Sequence, residues 1–448
     1  MVGVGRSTKN SDEKGTAVKK DYQTGAPRAA MSEIVVPDRV SVAMSELTGA
    51  VKEGLLALAV GAGLQVMGVL MDESVTALCG PKGAHDPDRA AVRHGREDGT
   101  VVLGGRQVPV RRPRVRTADR SAEVAVPAYE LFASTELLGE LALERMMAKL
   151  STRRYRAGLE PVGSSVQAVA SGTSRSAVSR RFVAMTERGL DEMMHADLSE
   201  LDLVALLIDG VHFAEHLCVV ALGISIDGTK VPLGVVEGST ENATVVKALL
   251  TDLRDRGLDG CRPILVVIDG AKALASAVRE IFDRALTQRC QLHKIRNVEG
   301  HLDKTTASTV AKKMRGAYRD PDAFHAEAAL EALARSLDKA HPGAAASLRE
   351  GLGETLTVNR LGVPPTLART LRSTNAIESM IEICRDHATN VKRWRDGQMA
   401  LRWCAAGMHE AAKQFRRVNG HLHLAALRVA LDAHFETVTP TRETQEAA

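Results

Sequence analysis

Aromatic side chains are scarce in this 448-residue sequence, in which Phe, Trp and Tyr make up 3% of the residues. The core must therefore be built from aliphatic side chains, alanine and methionine. The six cysteines include no CxxC pair, which argues against a disulfide framework and a cysteine-rich zinc site. A GxxxxGK loop is absent as well, so no nucleotide cofactor is implied. The N-terminus is polar and lacks the apolar core of a signal peptide, and we expect a cytoplasmic protein.

Long hydrophobic runs are also rare, and the longest is LLALAVGAGLQVMGVLM at 55–71. It has 17 residues, contains Gln65 and three glycines, and has acidic residues on both flanks. Such a run is short for a membrane span. We predict a buried or oligomer-forming helix instead.

The net charge of +4 is small, but positive charge is concentrated in two segments. Residues 93–120 contain eight arginines and three acids, and residues 153–188 contain seven arginines and two acids. Such clusters on a near-neutral chain indicate a polyanionic partner, and the alternative is a solvated basic surface.

The middle of the chain has the pattern of a mixed sheet. Strand-like runs occur at 203–209, 217–226, 231–236 and 264–269. The first three are close together, as in a meander, whereas the fourth follows a predicted helix at 242–257, as in a crossover to a parallel strand. We therefore predict a three-layer α/β core, followed by a helical segment at 303–352 and a long helical region from about 374 to 435.

Residues 166–182, VQAVASGTSRSAVSRRF, have the layout of a helix-turn-helix. Gly172 suits a tight turn with positive φ, and Ser174 can cap the second helix. Val178 and Phe182 would pack that helix back against the first.

Two arginine-rich elements are candidate DNA contacts. The second helix of the predicted helix-turn-helix would expose Arg175, Ser176, Ser179 and Arg180. These side chains suit base edges and phosphates, and the alternative is an ordinary helical hairpin with a basic face. The stretch 106–120 resembles an extended arm suited to a minor groove, with Arg111, Arg112, Arg114 and Arg116.

Two strand-like runs end in the same way, LLIDG at 206–210 and VVIDG at 266–270. Ligands of open α/β sheets bind at the carboxyl edge of the strands, where Asp209 and Asp269 would lie. Two carboxylates that close repel each other unless a cation lies between them, and oxygen ligands select Mg²⁺ or Mn²⁺. The alternative for each is a simple Asp-Gly turn.

A third acid is needed to hold two such ions, and the candidate is Glu378 in RSTNAIESM at 372–380. Its alternative role is local, because Asn375 and Glu378 have the spacing of a capping box. Sequence spacing does not choose between these roles.

Several motifs in order, LIDG, VVIDGAKAL, QRCQLHKIRN, RSTNAIES and NVKRWRDGQMALRW, resemble bacterial insertion-sequence transposases of the Mutator superfamily. The resemblance covers about residues 40–430. It implies a ribonuclease-H-like catalytic domain with an Asp-Asp-Glu triad, which carries over to Asp209, Asp269 and Glu378. It also implies a helical insertion between the second Asp and the Glu, and it matches the Cys-x-x-His element of the family to Cys290 and His293.

The fold class expected is α/β: a ribonuclease-H-like three-layer core with an all-α insertion, preceded by a mainly α-helical DNA-binding region. The predicted domains are a disordered tail at 1–35, a helical and basic extended region at 36–125, the helix-turn-helix domain at 126–200, the first part of the catalytic domain at 201–294, the all-α insertion at 295–365, the C-terminal helical part of the catalytic domain at 366–435 and a disordered tail at 436–448.

The resemblance implies a DNA transposase that binds terminal inverted repeats and cuts and joins DNA with two Mg²⁺ or Mn²⁺ ions per active site. Its partners would be repeat and target DNA and a second copy of the chain, for which the 55–71 helix is a candidate contact. The protein would associate with the bacterial nucleoid in the cytoplasm. The alternatives are a ribonuclease-H-like nuclease or resolvase that does not join strands, and a domesticated DNA-binding regulator.

Three further predictions concern residues around the triad. Cys290 and His293 lack a second zinc-ligand pair, so we predict that they support the site. A basic helical face that lies along the DNA backbone is predicted from Arg385, Lys392, Arg393 and Arg395. Trp394 and Trp403, on the same predicted helix, are interpreted as packing anchors.

Overall fold

The computed structural model describes residues 55–84, 86, 88–238 and 243–438. The predicted tail at 1–35 lies outside these residues. The mixed α/β class predicted from the sequence is confirmed, because helices surround a three-stranded and a five-stranded sheet.

Helix α1 (Leu55–Cys79) begins the described chain, and by length and composition it could cross a membrane, which for a single helix is weak evidence. Among its described side chains, only Met71, Val75 and Cys79 are buried. The expectation of a buried helix is therefore wrong, and its oligomer-forming alternative stays a prediction.

A β-hairpin follows α1 and forms the extended region expected there. Strand β1 (Ala91–Leu103) pairs antiparallel with β2 (Arg106–Thr117), and β2 pairs with the short β3 (Glu123–Val124). Gly104 and Gly105 connect the hairpin with positive φ angles, which a tight turn of this hand requires. The arginine stretch is thus a paired strand, and the expectation of an extended arm is wrong.

Short helices lead from the hairpin to the large sheet. They are α2 (Pro127–Ala133), α3 (Glu136–Met147), α4 (Ser164–Val169) and α5 (Arg175–His195), with a 3₁₀ turn at Tyr155–Gly158.

The large sheet has the strand order β6-β5-β4-β7-β8. Its elements are β4 (Leu203–Phe213), β5 (His216–Ser225), β6 (Lys230–Gly238), helix α6 (Ala243–Asp255), β7 (Ile264–Ile268), helix α7 (Lys272–Ile281) and β8 (Ala285–Arg289). Strands β4, β5 and β6 are antiparallel neighbours, whereas β4, β7 and β8 are parallel. The predicted meander and crossover are confirmed.

Strand β8 was not predicted, because its buried positions are polar. Gln288 has no exposed surface, and its amide donates to the carbonyls of Arg289 and Thr355. Arg289 pairs with Glu350 and Glu354. These partners lie in the helical segment that follows, so nothing local in the sequence indicates a buried strand.

Helices make up the rest of the described chain. They are α8 (Gln291–Glu299), α9 (Lys304–Tyr318), α10 (Ala323–Leu337), α11 (Pro342–Arg349), α12 (Leu352–Thr355), α13 (Thr357–Arg360), α14 (Pro365–Leu371), α15 (Asn375–His387), α16 (Gly397–Gln414) and α17 (Leu424–Val438). Helices α8 to α12 enclose a hydrophobic cluster of their own. Residues 388–396 and 415–423 interrupt the long helical region predicted from about 374 to 435, and α17 extends into the tail predicted at 436–448.

The five-stranded sheet separates two hydrophobic clusters, since successive residues of a strand point to opposite faces. Leu206 and Ile208 of β4 belong to the cluster with α6 and α7. Leu207 and Val211 belong to the cluster with α15 and α16. Asp209 shares the second face by alternation, which directs it toward α15.

Candidate active site

The two strand-end aspartates are neighbours in the sheet. Strands β4 and β7 are parallel, and their last registered pair is Ile208 with Ile268. Asp209 and Asp269 are the next residue on each strand, and both are half-buried. Because paired strands lie about 4.8 Å apart, the two carboxylates occupy adjacent positions at one edge of the sheet.

Asp269 also forms the Asp-Gly turn that was the alternative to a role as a metal ligand. Its Oδ1 accepts a hydrogen bond of 2.9 Å from the Ala271 N–H. Gly270 has a φ of +119°, a conformation that side-chain-bearing residues rarely adopt, and it lets the chain leave the strand. The turn and a ligand role are compatible, since the hydrogen bond holds one carboxylate oxygen and leaves the other for a ligand.

Glu378 lies in the first turn of α15, which packs against β4. The N-cap of this helix is Thr374 rather than Asn375, and no side chain forms the cap hydrogen bond. The capping-box interpretation of Asn375 and Glu378 is therefore wrong. The Glu378 carboxylate instead accepts a hydrogen bond from the Thr374 hydroxyl.

Thr374, which is fully buried, connects Glu378 to Cys290 and His293. Its Oγ1 lies 3.4 Å from Cys290 Sγ and 3.4 Å from His293 Nδ1, and its backbone N–H donates to Cys290 Sγ at 3.4 Å. A threonine hydroxyl has one proton, and the carboxylate is the strongest acceptor near it. The hydroxyl proton is therefore shared between Glu378 and Cys290 Sγ, and the carboxylate is the stronger of the two acceptors.

The pKa shifts of His293 and Cys290 show which charged groups lie close to Thr374. The hydrogen bond with Cys290 raises the pKa of His293 to about 8, with further contributions from Glu378 and Asp209 and in opposition to burial. Burial would raise the pKa of the Cys290 thiol, but hydrogen bonds from His293 and Thr374 lower it overall. His293 thus lies within electrostatic reach of carboxylates from both β4 and α15.

Two donor sets overlap at Glu378. Ligand atoms of Cys290, His293 and Glu378 lie within 4.8 Å of one another. Sulfur and nitrogen suit softer ions such as Zn²⁺, whereas Asp209, Asp269 and Glu378 offer only the oxygen ligands that Mg²⁺ and Mn²⁺ prefer. The carboxylates therefore fit the hard divalent ions implied by the resemblance.

The basic residues after Glu378 do not form one helical face, so that prediction is wrong. Arg385 is on α15, but Lys392, Arg393 and Arg395 lie in the loop 388–396. A run of three exposed cations is nevertheless present in this loop, and within the described chain none of the three has a carboxylate partner within 4.0 Å.

Predicted DNA contacts in the hairpin are partly neutralised. Arg112 and Arg114 of β2 each pair with Glu97 and Glu123. Arg111 pairs with Asp98 at 3.2 Å through side chains that are mostly exposed. Arg116 donates to a backbone carbonyl, that of Arg120. Neutralised arginines attract phosphate less strongly than unpaired ones, because their charge is already balanced.

Two helices, α4 and α5, lie where the helix-turn-helix is predicted, and residues 170–174 connect them. Ser174 caps α5, and its hydroxyl accepts from the Ala177 N–H at 3.2 Å. Val178 and Phe182 are buried. The expectation that they pack α5 against α4 is wrong, because α5 packs mainly on α3 and α16. The four predicted contact residues are all exposed on α5: Arg175, Ser176, Ser179 and Arg180.

Strand β2 holds the turn between α4 and α5. Gln107 and Ser171 exchange backbone hydrogen bonds of 3.1 and 2.8 Å. A Cβ on Gly172 would approach Gln107 Oε1 to 2.9 Å, and its φ of +81° also favours glycine. The hairpin and α5 therefore form one basic structural unit.

Aromatic side chains connect this unit to the large sheet. Phe182 of α5 packs on Trp403 of α16 with ring centroids 4.7 Å apart. Trp394 packs on Phe213 of β4 at 4.8 Å and lies 6.3 Å from Trp403. The interpretation of both tryptophans as packing anchors is confirmed, although Trp394 lies in the loop 388–396 rather than on a helix.

Comparison with known proteins gives a consistent result. Residues 42–418 match the family described as "Transposase, Mutator family". The transposase for insertion sequence element ISRM5 of Rhizobium meliloti is 27% identical over 370 residues, 81% of this chain and 89% of that protein. The transposase for insertion sequence element IS6120 of Mycolicibacterium smegmatis is 31% identical over 237 residues, 52% of this chain and 72% of that protein.

Proposed function

Because this chain belongs to the Mutator family of transposases, we propose that it binds the terminal inverted repeats of an insertion sequence and catalyses metal-dependent DNA cleavage and strand transfer. Asp209, Asp269 and Glu378 are its catalytic carboxylates. The single observation that carries this proposal is the register Ile208 to Ile268, which makes the two aspartates neighbours on parallel strands. The order β6-β5-β4-β7-β8, with three antiparallel strands and two parallel additions, supports a ribonuclease-H-like core.

In this mechanism the chain contributes binding and positioning. Two hard divalent ions held by the three carboxylates would supply an activated water and stabilise the leaving oxygen. The rigid strands β4 and β7 hold Asp209 and Asp269, and the Ala271 N–H orients the second carboxylate. Thr374 orients Glu378 from the other side. No protein nucleophile is required, since water and then a 3′ hydroxyl attack the phosphodiester.

Incubation of the purified protein with labelled repeat-end DNA and Mg²⁺ tests the proposal directly. Mapping of the products should reveal cut strands with free 3′ hydroxyls and strands joined to a second DNA. Cleavage without joining would favour a nuclease or resolvase. Binding without cleavage would favour a DNA-binding regulator.

We propose that α5 reads the repeat and that the exposed loop cations, Lys392, Arg393 and Arg395, contact its backbone. Replacing Arg175 and Arg180 together by alanine should weaken repeat binding and reduce the slope of log affinity against log salt by about 2, because each lost phosphate contact removes about one unit. Fluorescence anisotropy across a salt series measures both effects.

The control for the α5 prediction is Arg188→Ala, on the same helix but paired with Glu136 and Glu192. This substitution should leave both quantities nearly unchanged. If the Arg175/Arg180 double variant bound the repeat with wild-type affinity, another segment, for example 106–120, would have to recognise the repeat.

The hydroxyl of Thr374 is predicted to position Glu378. Thr374→Val keeps the shape of the buried side chain but removes the hydrogen bond, so the cleavage rate or the apparent Mg²⁺ affinity should fall by about 10–100-fold, as for other residues that orient metal ligands. Thr374→Ser should restore most of the loss. A Mg²⁺ titration of cleavage, with thermal melting of each variant, measures the effect. Equal behaviour of the Val and Ser variants would contradict a role for the hydroxyl.

A further inference from the structure

A cavity of about 540 Å³ lies between the helical insertion and α14. Its wall includes Arg319, which follows α9, Arg369 on α14 and Arg372, which follows α14. Asp320 is the one acid among the lining residues. Its Oδ1 accepts from the Asp322 N–H, and it forms no ion pair within 4.0 Å with the three arginines. The cavity is therefore strongly cationic.

The three guanidinium groups are not neutralised within the described chain. Arg319 and Arg369 are exposed, and Arg372 is half-buried with one long hydrogen bond, 3.4 Å to the Tyr318 carbonyl. Burial lowers the pKa of Arg372, and the charges of Arg369 and Arg319 lower it further. By contrast, Arg289 and Arg349 of the same region are paired with acids. Unbalanced like charges around one cavity are unfavourable unless an anion enters it.

The cavity adjoins the catalytic carboxylates. The Arg372 carbonyl accepts from the Gln291 N–H at 2.9 Å, at the point where the chain leaves β8. Two residues later Thr374 holds Glu378. The arginines therefore lie on the β8 side of the aspartates. The loop 388–396 instead contacts Phe213, in the part of β4 that pairs with β5 and has passed the end of β7.

We propose that Arg319, Arg369 and Arg372 bind backbone phosphates of DNA outside the terminal repeat, on the opposite side of the scissile phosphate from α5 and the loop 388–396. The proposal rests on the proposed function and deepens it. Guanidinium groups bind phosphate oxygens in pairs of hydrogen bonds. Phosphate contacts carry no direct sequence information, which suits DNA whose sequence changes with every insertion site. That DNA is either the flank beside the repeat or the target.

The test uses the full chain with Arg319 and Arg369 both changed to glutamine. Both side chains are exposed, so the fold should be retained. The matched control changes Arg335 and Lys339 to glutamine, which removes the same charge from exposed positions of the insertion outside the cavity. Fluorescence anisotropy over a salt series is measured on three DNAs: a duplex ending at the cleavage position, the same duplex with a flank, and a random target duplex added to the complex with the cut end.

The double variant should bind the flankless repeat like the wild type. On the flank-bearing duplex or on target capture, its salt slope should fall by about 2 relative to the control variant. If the salt slope falls only on the flank-bearing duplex, the arginines bind flanking DNA. If it falls only in the capture of the random duplex, they bind target DNA. The proposal would be overturned if the double variant and the control variant had the same salt slope on the flank-bearing duplex and in target capture. It would also be overturned if the slope of the double variant fell equally on the flankless repeat. Cleavage by the wild-type protein is followed on the same DNA, so failure of the proposed function is seen separately.

Discussion

Replacing Asp209 or Asp269 by asparagine, or Glu378 by glutamine, is expected to reduce Mg²⁺-dependent cleavage and joining of repeat-end DNA by about 10³-fold or more. Each change keeps the size of the side chain but removes a negative charge from a set that would bind hard divalent ions. DNA binding should be retained, because the proposed DNA contacts on α5 and in the loop 388–396 include none of the three carboxylates. Gel analysis of cut and joined strands, with anisotropy for binding, measures the two effects.

The controls for these substitutions lie close by. Glu382 is exposed one turn along α15 from Glu378, and Asp255 is exposed at the end of α6. Glu382→Gln and Asp255→Asn should leave cleavage near the wild-type level. Full activity in any of the three triad variants would remove that residue from the catalytic set.

Replacing Trp403 by alanine is expected to lower the free energy of unfolding by about 3–5 kcal/mol, the cost of a large buried aromatic deletion. Trp403 is 3% exposed and contacts Phe182 of α5 and Trp394 of the loop 388–396. Its loss leaves a cavity where α5 meets α16. Chemical denaturation, read as a shift of the midpoint at constant slope, measures the change.

Trp403→Phe is the control because it keeps an aromatic ring against Phe182. Trp403→Phe should lower the free energy of unfolding clearly less than Trp403→Ala does. If the alanine variant unfolded at the wild-type midpoint, Trp403 would not stabilise the contact between α5 and α16. DNA cleavage by the phenylalanine variant should remain measurable, since Trp403 is not one of the proposed catalytic carboxylates.

The sequence predicted four strands of the five-stranded sheet well, because their signals are local. Buried runs such as LLIDG and VVIDG have the apolar composition of strands, and a following Gly marks where each run ends. The meander, the crossover and the neighbouring positions of Asp209 and Asp269 follow from these runs. Strand β8 was missed, because Gln288 and Arg289 are satisfied by partners in the helical insertion.

Around Glu378 the sequence left two roles open, and it predicted helix where the structure has the loop 388–396. Thr374 had a local signal, as a hydroxyl residue directly before NAIES, yet its bonds to Cys290 and His293 involve residues 84 and 81 positions away. Residues 388–396 contain no Pro or Gly that would predict the end of a helix, and the sequence therefore predicts helix where the structure has a loop.

By itself, the sequence determined the family resemblance, the strand-end aspartates and the basic segments, since each depends on residues that are close along the chain. Only the tertiary structure decided that Glu378 is held by Thr374, that β2 arginines are paired with acids, and that Arg319 and Arg369 share a cavity. The physical reason is that these contacts join distant segments. Their geometry depends on how whole helices and strands pack, which no short stretch of sequence records.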